Sequence, residues 1–212
     1  AAGDEETLHQ PLLATLKRLE QLEGLVPDGP LNLILQMDDN GTDPNYRYAL
    51  THQPHPSARE RLDTPPIPEA AVRRIDSSFR YGERDSGSPV TLKRFLSWAV
   101  RAYPARHYML VLSGHSWGLQ GQMQDFFFDG KARKPSSIIK NYELRRLLEE
   151  VYREQRAYIP DGRFDALHID ACISGQLEIA LELKDVVPYF IAHSVDTPYH
   201  GLAFDRVLAP FI

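Results

Sequence analysis

The chain has 212 residues, 42% hydrophobic and 25% charged, with a formal net charge of −5. That length suits one ordinary domain with its own core and is cramped for two, and the acidity gives no electrostatic footprint for nucleic acid or an anionic membrane. No apolar run reaches the length of a membrane span, and the opening AAGDEET lacks the basic and apolar regions of a signal peptide, so the polypeptide reads as soluble, with no compartment assigned. Cys172 is the only cysteine; no intrachain disulfide forms, and cysteine usage decides nothing about redox compartment.

Leu8, Leu12, Leu16, Leu19 and Leu22 recur at helical spacing behind the acidic turn Asp4, Glu5 and Glu6, which predicts a helix over 5–23. A Pro-Asp-Gly-Pro turn at 27–30 leads into LNLILQM, 31–37, a short apolar run that reads as a buried strand. YRYAL, 46–50, reads as its outer partner, and the proline-rich stretch 52–68 reads as surface loop. From Ser88-Pro89, the positions Leu92, Phe95, Leu96, Ala99, Val100 and Tyr103 share one helical face, closed by Pro104. YMLVL, 108–112, is a continuous apolar run of the kind found in central parallel strands. Leu144, Leu147, Leu148, Val151 and Tyr152 mark a further amphipathic helix, with Asn141 as its expected cap. FDALHI at 164–169 reads as strand, about 176–185 as helix, and PYFIAHS at 188–194 as strand. The alternation predicts one α/β domain with a mostly parallel, doubly wound sheet flanked by helices.

In such a sheet reactive groups collect beyond the carboxyl ends of the strands. LVLSGHSWG, 110–118, delivers His115 to such an end, and HIDACISGQ, 168–176, delivers Cys172. If those strands are parallel neighbours about 4.8 Å apart, imidazole and thiol come within reach of one another. A helix beginning just after Cys172 would add a favourable dipole and backbone donors for an oxyanion. A lone strand-end cysteine is more often a small buried apolar residue, and a lone histidine more often structural. Their paired placement is what points to nucleophile and base.

Three stretches carry a resemblance to the clostripain-type cysteine peptidases of the caspase-like clan: GERDSGSPVTLKRFLSWAVRAYPARHYMLVLSGH at 82–115, HIDACISGQLEIALELKD at 168–185, and LNLILQMDD with YRYAL. The resemblance implies a caspase-hemoglobinase fold and hydrolysis of peptide bonds in protein or peptide substrates through a Cys172–His115 dyad and a thioester. The fold's first strand would then be missing from this chain and the domain trimmed at both ends. The resemblance transfers to Asp170 a role in seating an Arg or Lys side chain; side chains two apart on a strand share a face, so Asp170 is expected on the side of Cys172. An Asp capping backbone N–H groups is the alternative.

The chain departs from the family pattern at Ser116, where glycine is usual, which puts in question the backbone oxyanion donors expected at Ser116 and Cys172. It departs again in SVDTPYHGLAF, where His200 replaces an expected acid that Asp196 would have to supply. The basic loop DGKARKPSS, 129–137, corresponds to the segment where relatives cleave themselves, making Lys131, Arg133 and Lys134 candidate processing sites; a plain solvated loop is the alternative. No metal is assigned: His52 and His55 lack further ligands nearby, and DDNGTD at 38–43 fails the calcium-loop pattern. The chemistry requires no cofactor; the resemblance allows calcium without assigning its ligands. A catalytically inactive caspase-like binding or regulatory module is the competing reading, and the oligomeric state is unassigned.

Overall fold

The structure, a computed structural model, describes residues 15, 18, 19, 30–37, 46–50, 72–74, 85–125, 137–197 and 201–211. Of the helix expected over 5–23, Thr15, Arg18 and Leu19 are described and helical, with Leu19 buried. The strands β1 (Leu33–Met37), β2 (Tyr46–Leu50) and β3 (Val72–Arg74) form an antiparallel sheet in that order. The first two pair from Leu33 opposite Leu50 to Met37 opposite Tyr46, as expected of an outer partner strand. The sequence reading did not contain β3, whose three residues are too few to show a period of two.

A second, parallel tier carries the strands that end just before His115 and Cys172. Helix α1 (Pro89–Ala102) starts behind Ser88 with proline in its first turn and buries Leu92, Leu96 and Val100 at helical spacing. It is followed by β4 (Met109–Ser113), α2 (Asn141–Glu154), β7 (Ala166–Asp170), α3 (Leu177–Leu183) and β8 (Tyr189–Ala192). Between β4 and α2 comes a hairpin of β5 (Gln122–Asp125) and β6 (Ser137–Ile139), and α4 (Phe204–Leu208) follows β8. Spatial order is β4-β7-β8, all parallel, so β7 is hydrogen-bonded on both edges. Its last four residues are buried, as a central parallel strand requires.

The helices α1, α2 and α3 pack against one another in sequence order. Leu144, Leu148, Leu167, Ile169, Ile179 and Leu183 belong to one continuous core; each such side chain contributes about 1.5–3 kcal/mol by leaving water. Period-two alternation along β7 turns His168 and Asp170 to the opposite face, where Phe204 of α4 packs on the His168 ring at 5.8 Å between centroids. Lys93 of α1 bonds Glu150 and Glu154 of α2, each at 2.8 Å, on the outer surface.

One expectation is corrected. The cap of α2 is Lys140, whose backbone N–H donates to Glu143 Oε2 at 2.9 Å; Asn141 is the first helical residue and uses its side chain elsewhere. Among the described residues no pairing joins β1 to β4. An apolar cavity of about 380 Å³ lies between them, lined in part by Leu33, Leu35, Phe95, Val100, Leu110 and Val111. No described helix is long and apolar enough to cross a membrane.

Candidate active site

The register of β4 on β7 sets the geometry. Ser113 stands opposite Asp170, so His115 and Cys172 each come two residues beyond a matched pair on adjacent parallel strands. The chains are held together past the strand ends by the Gly114 N–H, which donates to the Asp170 carbonyl at 3.4 Å. His115 and Cys172 both line the cavity between β1 and β4, along with Ser113, Gly114, Asp170 and Thr197. The thiol is half-buried, and the Thr197 N–H donates to its Sγ at 3.4 Å.

Two different constructions hold these residues. On the histidine side the chain turns back as a hairpin, with Gln124 N–H donating to the His115 carbonyl at 3.1 Å and Trp117 N–H to the Gly121 carbonyl at 3.0 Å. Ser116 is buried within it: its Oγ accepts from the Gly118 N–H at 3.0 Å and donates to the Gly121 carbonyl at 3.4 Å. Asn141 braces the hairpin from α2 by donating to the carbonyls of Gly118 at 3.1 Å and Leu119 at 3.3 Å, and by accepting from Gln122 Nε2 at 3.0 Å.

On the cysteine side the turn is strained. Ile173, immediately after Cys172, has φ 45, a left-handed conformation that a β-branched residue resists. Ser174 Oγ, fully buried, lies 2.8 Å from the Ala171 carbonyl and 3.1 Å from that of Ile169. Ile173 N–H and Gly175 N–H donate to the carbonyls of Val195 and His193 at 3.1 and 2.7 Å. These contacts together hold a turn that would otherwise relax.

Two expectations about backbone support change. Helix α3 begins at Leu177, five residues past Cys172, so the nucleophile candidate lies outside its first turn and outside the short range of its dipole. Ser116 is not among the positive-φ residues, so its place in the hairpin does not demand glycine; among the described residues the left-handed non-glycine ones are Met123 and Ile173. Ser116 does not line the cavity, and its hydroxyl belongs to the hairpin.

Asp170 lines the cavity, yet its side chain is only 2% exposed. Leu202 N–H donates to its Oδ2 at 3.3 Å, and His193 Nε2 lies 3.3 Å from its Oδ1. Gly201 covers it with φ +58; a Cβ there would stand 2.4 Å from Asp170 Oδ2. His168, wholly buried two residues before, packs beside His193 with ring centroids 5.7 Å apart. Burial pushes the His168 pKa below the ordinary imidazole value; the Asp170 charge opposes that and His193 reinforces it.

Asp196 is exposed and does not line the cavity, so it does not supply the second acid there. His200, Lys131, Arg133 and Lys134 lie outside the described residues, as do His52, His55 and the stretch 38–43. Sequence reasoning missed Thr197, His168 and His193. The signal for His168 was present, since it precedes Asp170 by the two residues that put both on one face of a strand. For calcium, the described residues offer two groups of three possible ligands among His, Cys, Asp and Glu, and both contain an imidazole, a poor match to its oxygen preference.

A parallel tier delivering a histidine and a cysteine at neighbouring strand ends defines a caspase-like α/β protein. Residues 70–211 match the profile of the clostripain family, and the chain belongs to that family. Among solved structures it is similar to a secreted C11 cysteine protease from Bacteroides thetaiotaomicron in complex with an irreversible peptide inhibitor, at 21% identity and TM-score 0.69, covering 99% of this chain and 51% of that one. A second structure of a secreted C11 cysteine protease from that organism, called iotapain, matches at 15% identity and TM-score 0.65, over 98% of this chain and 54% of that one. An inactive zymogen C11 protease from Parabacteroides distasonis matches at 20% identity and TM-score 0.56, over 96% and 49%. The chain thus spans about half the length of the solved structures it matches, and these likenesses establish the fold. No curated protein sequence matches significantly.

Proposed function

We propose that this chain carries the dyad of a cysteine endopeptidase that cleaves protein or peptide substrates after Arg or Lys. The observation that carries the proposal is the register: His115 and Cys172 lie two residues past the Ser113–Asp170 pair and open into one cavity. In the proposed reaction His115 takes the proton from Sγ as sulfur bonds to the scissile carbonyl carbon. The resulting oxyanion is held by backbone N–H donors near Cys172 and the His115–Ser116 turn. Collapse breaks the C–N bond, the departing amine takes the proton from His115, and a thioester remains. Water then attacks the thioester, giving its proton to His115, which returns one to the sulfur.

Asp170 supports the preference for a basic side chain because it is a buried carboxylate on the cavity wall two residues before the nucleophile. A cation reaching it must compete with His193 or displace the cover at Gly201 and Leu202. The segment 126–136, between β5 and β6, carries Lys131, Arg133 and Lys134; self-cleavage there follows from the same preference.

Fluorogenic peptides ending in Arg, Lys, Asp or Leu test the reading. The wild type is expected to cleave the Arg and Lys peptides, Cys172→Ala to lose at least about a thousandfold in turnover, and Asp170→Asn to lose its basic preference. Intact mass shows cleavage within 126–136 in wild type and none in Cys172→Ala. A wild type as silent as Cys172→Ala on every peptide favours the inactive binding module instead.

A further inference from the structure

His168, Asp170 and His193 converge beside the nucleophile, and nothing in the peptidase reaction uses the two imidazoles. Each offers one ligand atom, and the three lie within 4.8 Å of one another. The convergence follows from the sheet. His168 and Asp170 share a face of β7, and the β7–β8 register, with Ile169 opposite Ala192, sets His193 opposite Asp170.

Both ring nitrogens of His168, His193 Nε2 and Asp170 Oδ1 are buried and have no hydrogen-bond partner. His168 is wholly buried, so leaving its polar atoms unsatisfied is costly. An ion pair between Asp170 and His193 alone leaves the His168 imidazole stranded. A shared cation accounts for all three side chains.

We propose that His168, Asp170 and His193 form a binding site for a divalent transition ion of the zinc class. Two ligand atoms on a tetrahedral zinc, each about 2.0–2.1 Å from the metal, stand about 3.3–3.4 Å apart. His193 Nε2 and Asp170 Oδ1 are already 3.3 Å apart. Leu202 N–H holds the other carboxylate oxygen, Oδ2, at 3.3 Å, which turns Oδ1 toward the imidazoles as a supporting hydrogen bond does in metal sites. The Phe204 ring packs on His168, 5.8 Å between centroids. Two imidazoles and one carboxylate suit zinc, cobalt or nickel and disfavour calcium and magnesium.

The second ligand-like group of the fold, His107, Asp161 and Asp165, makes the contrast. There all three residues are half-exposed or exposed, and Asp165 already bonds Tyr108 N–H at 2.8 Å and His107 at 3.0 Å. Water reaches this group, so it strands no buried polar atom.

Because Asp170 is also the residue assigned above to the basic side chain, the inference deepens that reading: one carboxylate serves either the ion or a substrate cation, never both. The test uses Cys172→Ala protein, which removes the thiol as a competing ligand. Titration with Co2+ is expected to give tetrahedral ligand-field absorption at one ion per chain, displaced by Zn2+. His193→Gln, at a half-buried strand end, and the isosteric Asp170→Asn are each expected to weaken Zn2+ binding at least about tenfold. Absence of binding, or an affinity unchanged in both variants, overturns the site. Benzamidine, an amidinium probe for a basic-side-chain pocket, should raise the apparent Kd for Zn2+. Zinc binding that is lost in His193→Gln but indifferent to benzamidine keeps the metal site and removes Asp170 from substrate recognition. Benzamidine binding in a protein that takes no zinc overturns the metal site and leaves the substrate role.

Discussion

Asp165 and Asp170 stand at opposite ends of one strand: the first directly precedes β7, and the second is its last residue. Asp165 is a framework residue. Its side chain is 37% exposed, one oxygen takes the Tyr108 N–H, the other meets His107, and its own N–H donates to the Tyr108 carbonyl at 2.9 Å. Asp170 has the reverse environment, nearly wholly buried, with one 3.3 Å bond from a backbone N–H and an imidazole at 3.3 Å. The same residue type closes the strand at one end and is left short of donors at the other. A carboxylate kept out of water without full hydrogen bonding rewards any cation that reaches it, which is how a strand end becomes a site.

The largest break in this comparison is expected from Gly201→Ala, which strikes the cover of Asp170. Gly201 has φ +58, and an added Cβ would meet Asp170 Oδ2 at 2.4 Å. Gly162 is the control, with φ +71 and nothing within 4 Å of a Cβ. Gly162→Ala carries the backbone penalty alone, about 1–2 kcal/mol. Gly201→Ala adds displacement of a buried carboxylate, for about 2–4 kcal/mol in total, with a fall in kcat/KM on basic peptides. Urea unfolding of the two variants separates the contributions; equal losses would mean that Asp170 moves aside freely.

A smaller contrast lies between the two constructions at the reactive end. Ser174→Ala removes a fully buried hydroxyl that bonds the carbonyls of Ile169 and Ala171 around the strained Ile173 turn, and about 1–3 kcal/mol is expected to be lost. Asn141→Ala removes the brace on the Gly118 and Leu119 carbonyls, which water reaches more easily, and about 1 kcal/mol should go. Both should lower kcat more than they raise KM, because each supports one member of the proposed dyad and neither lines the cavity. An Asn141→Ala loss larger than that of Ser174→Ala would make the hairpin, and not the strained turn, the tighter support.

The parallel tier was legible in the sequence because its signals are long. Apolar runs at 108–112 and 164–169 and the heptad-like spacing of Leu144, Leu147, Leu148 and Val151 each exceed the noise of a few residues. The ends of β4 and β7 were legible for the same reason, and with them the positions of His115 and Cys172. The hairpin of β5 and β6 was not, since QMQD and SII are polar or very short and their pairing is interrupted where Met123 takes φ 57. The start of α3 was legible to within a residue, about 176 expected against Leu177 found, but the dipole support expected for Cys172 is not there, because Ser174 and Gly175 bond to the strand behind them and to His193 instead of opening the helix. The histidines around Asp170 were half legible: His168 by its spacing of two, His193 only once β8 is known to lie beside β7. Contacts set by strand order are not written in any local pattern.

The smallest expected effect belongs to Asp165→Asn, and it sharpens the contrast by pH. Burial is the largest single influence on the Asp165 carboxyl and raises its pKa, but the hydrogen bonds from His107 and the Tyr108 N–H, with the His107 charge, carry it below the usual value. A carboxyl lowered on folding contributes stability that is fully present above the unfolded pKa, about 3.9, and that is lost as pH falls through the lower folded value. Asp165→Asn removes that contribution. At neutral pH the variant should be less stable by no more than about 1 kcal/mol, discounted because the side chain is 37% exposed. As pH falls through the lowered folded value the wild type should lose this margin, so the two stability curves converge in acid. Peptidase activity at neutral pH should not change, since Asp165 lies at the far end of β7 from Cys172. Parallel pH profiles for wild type and Asp165→Asn would show that the amino end of β7 is held by its backbone bonds alone, and the two aspartates would then differ in burial but not in electrostatic duty.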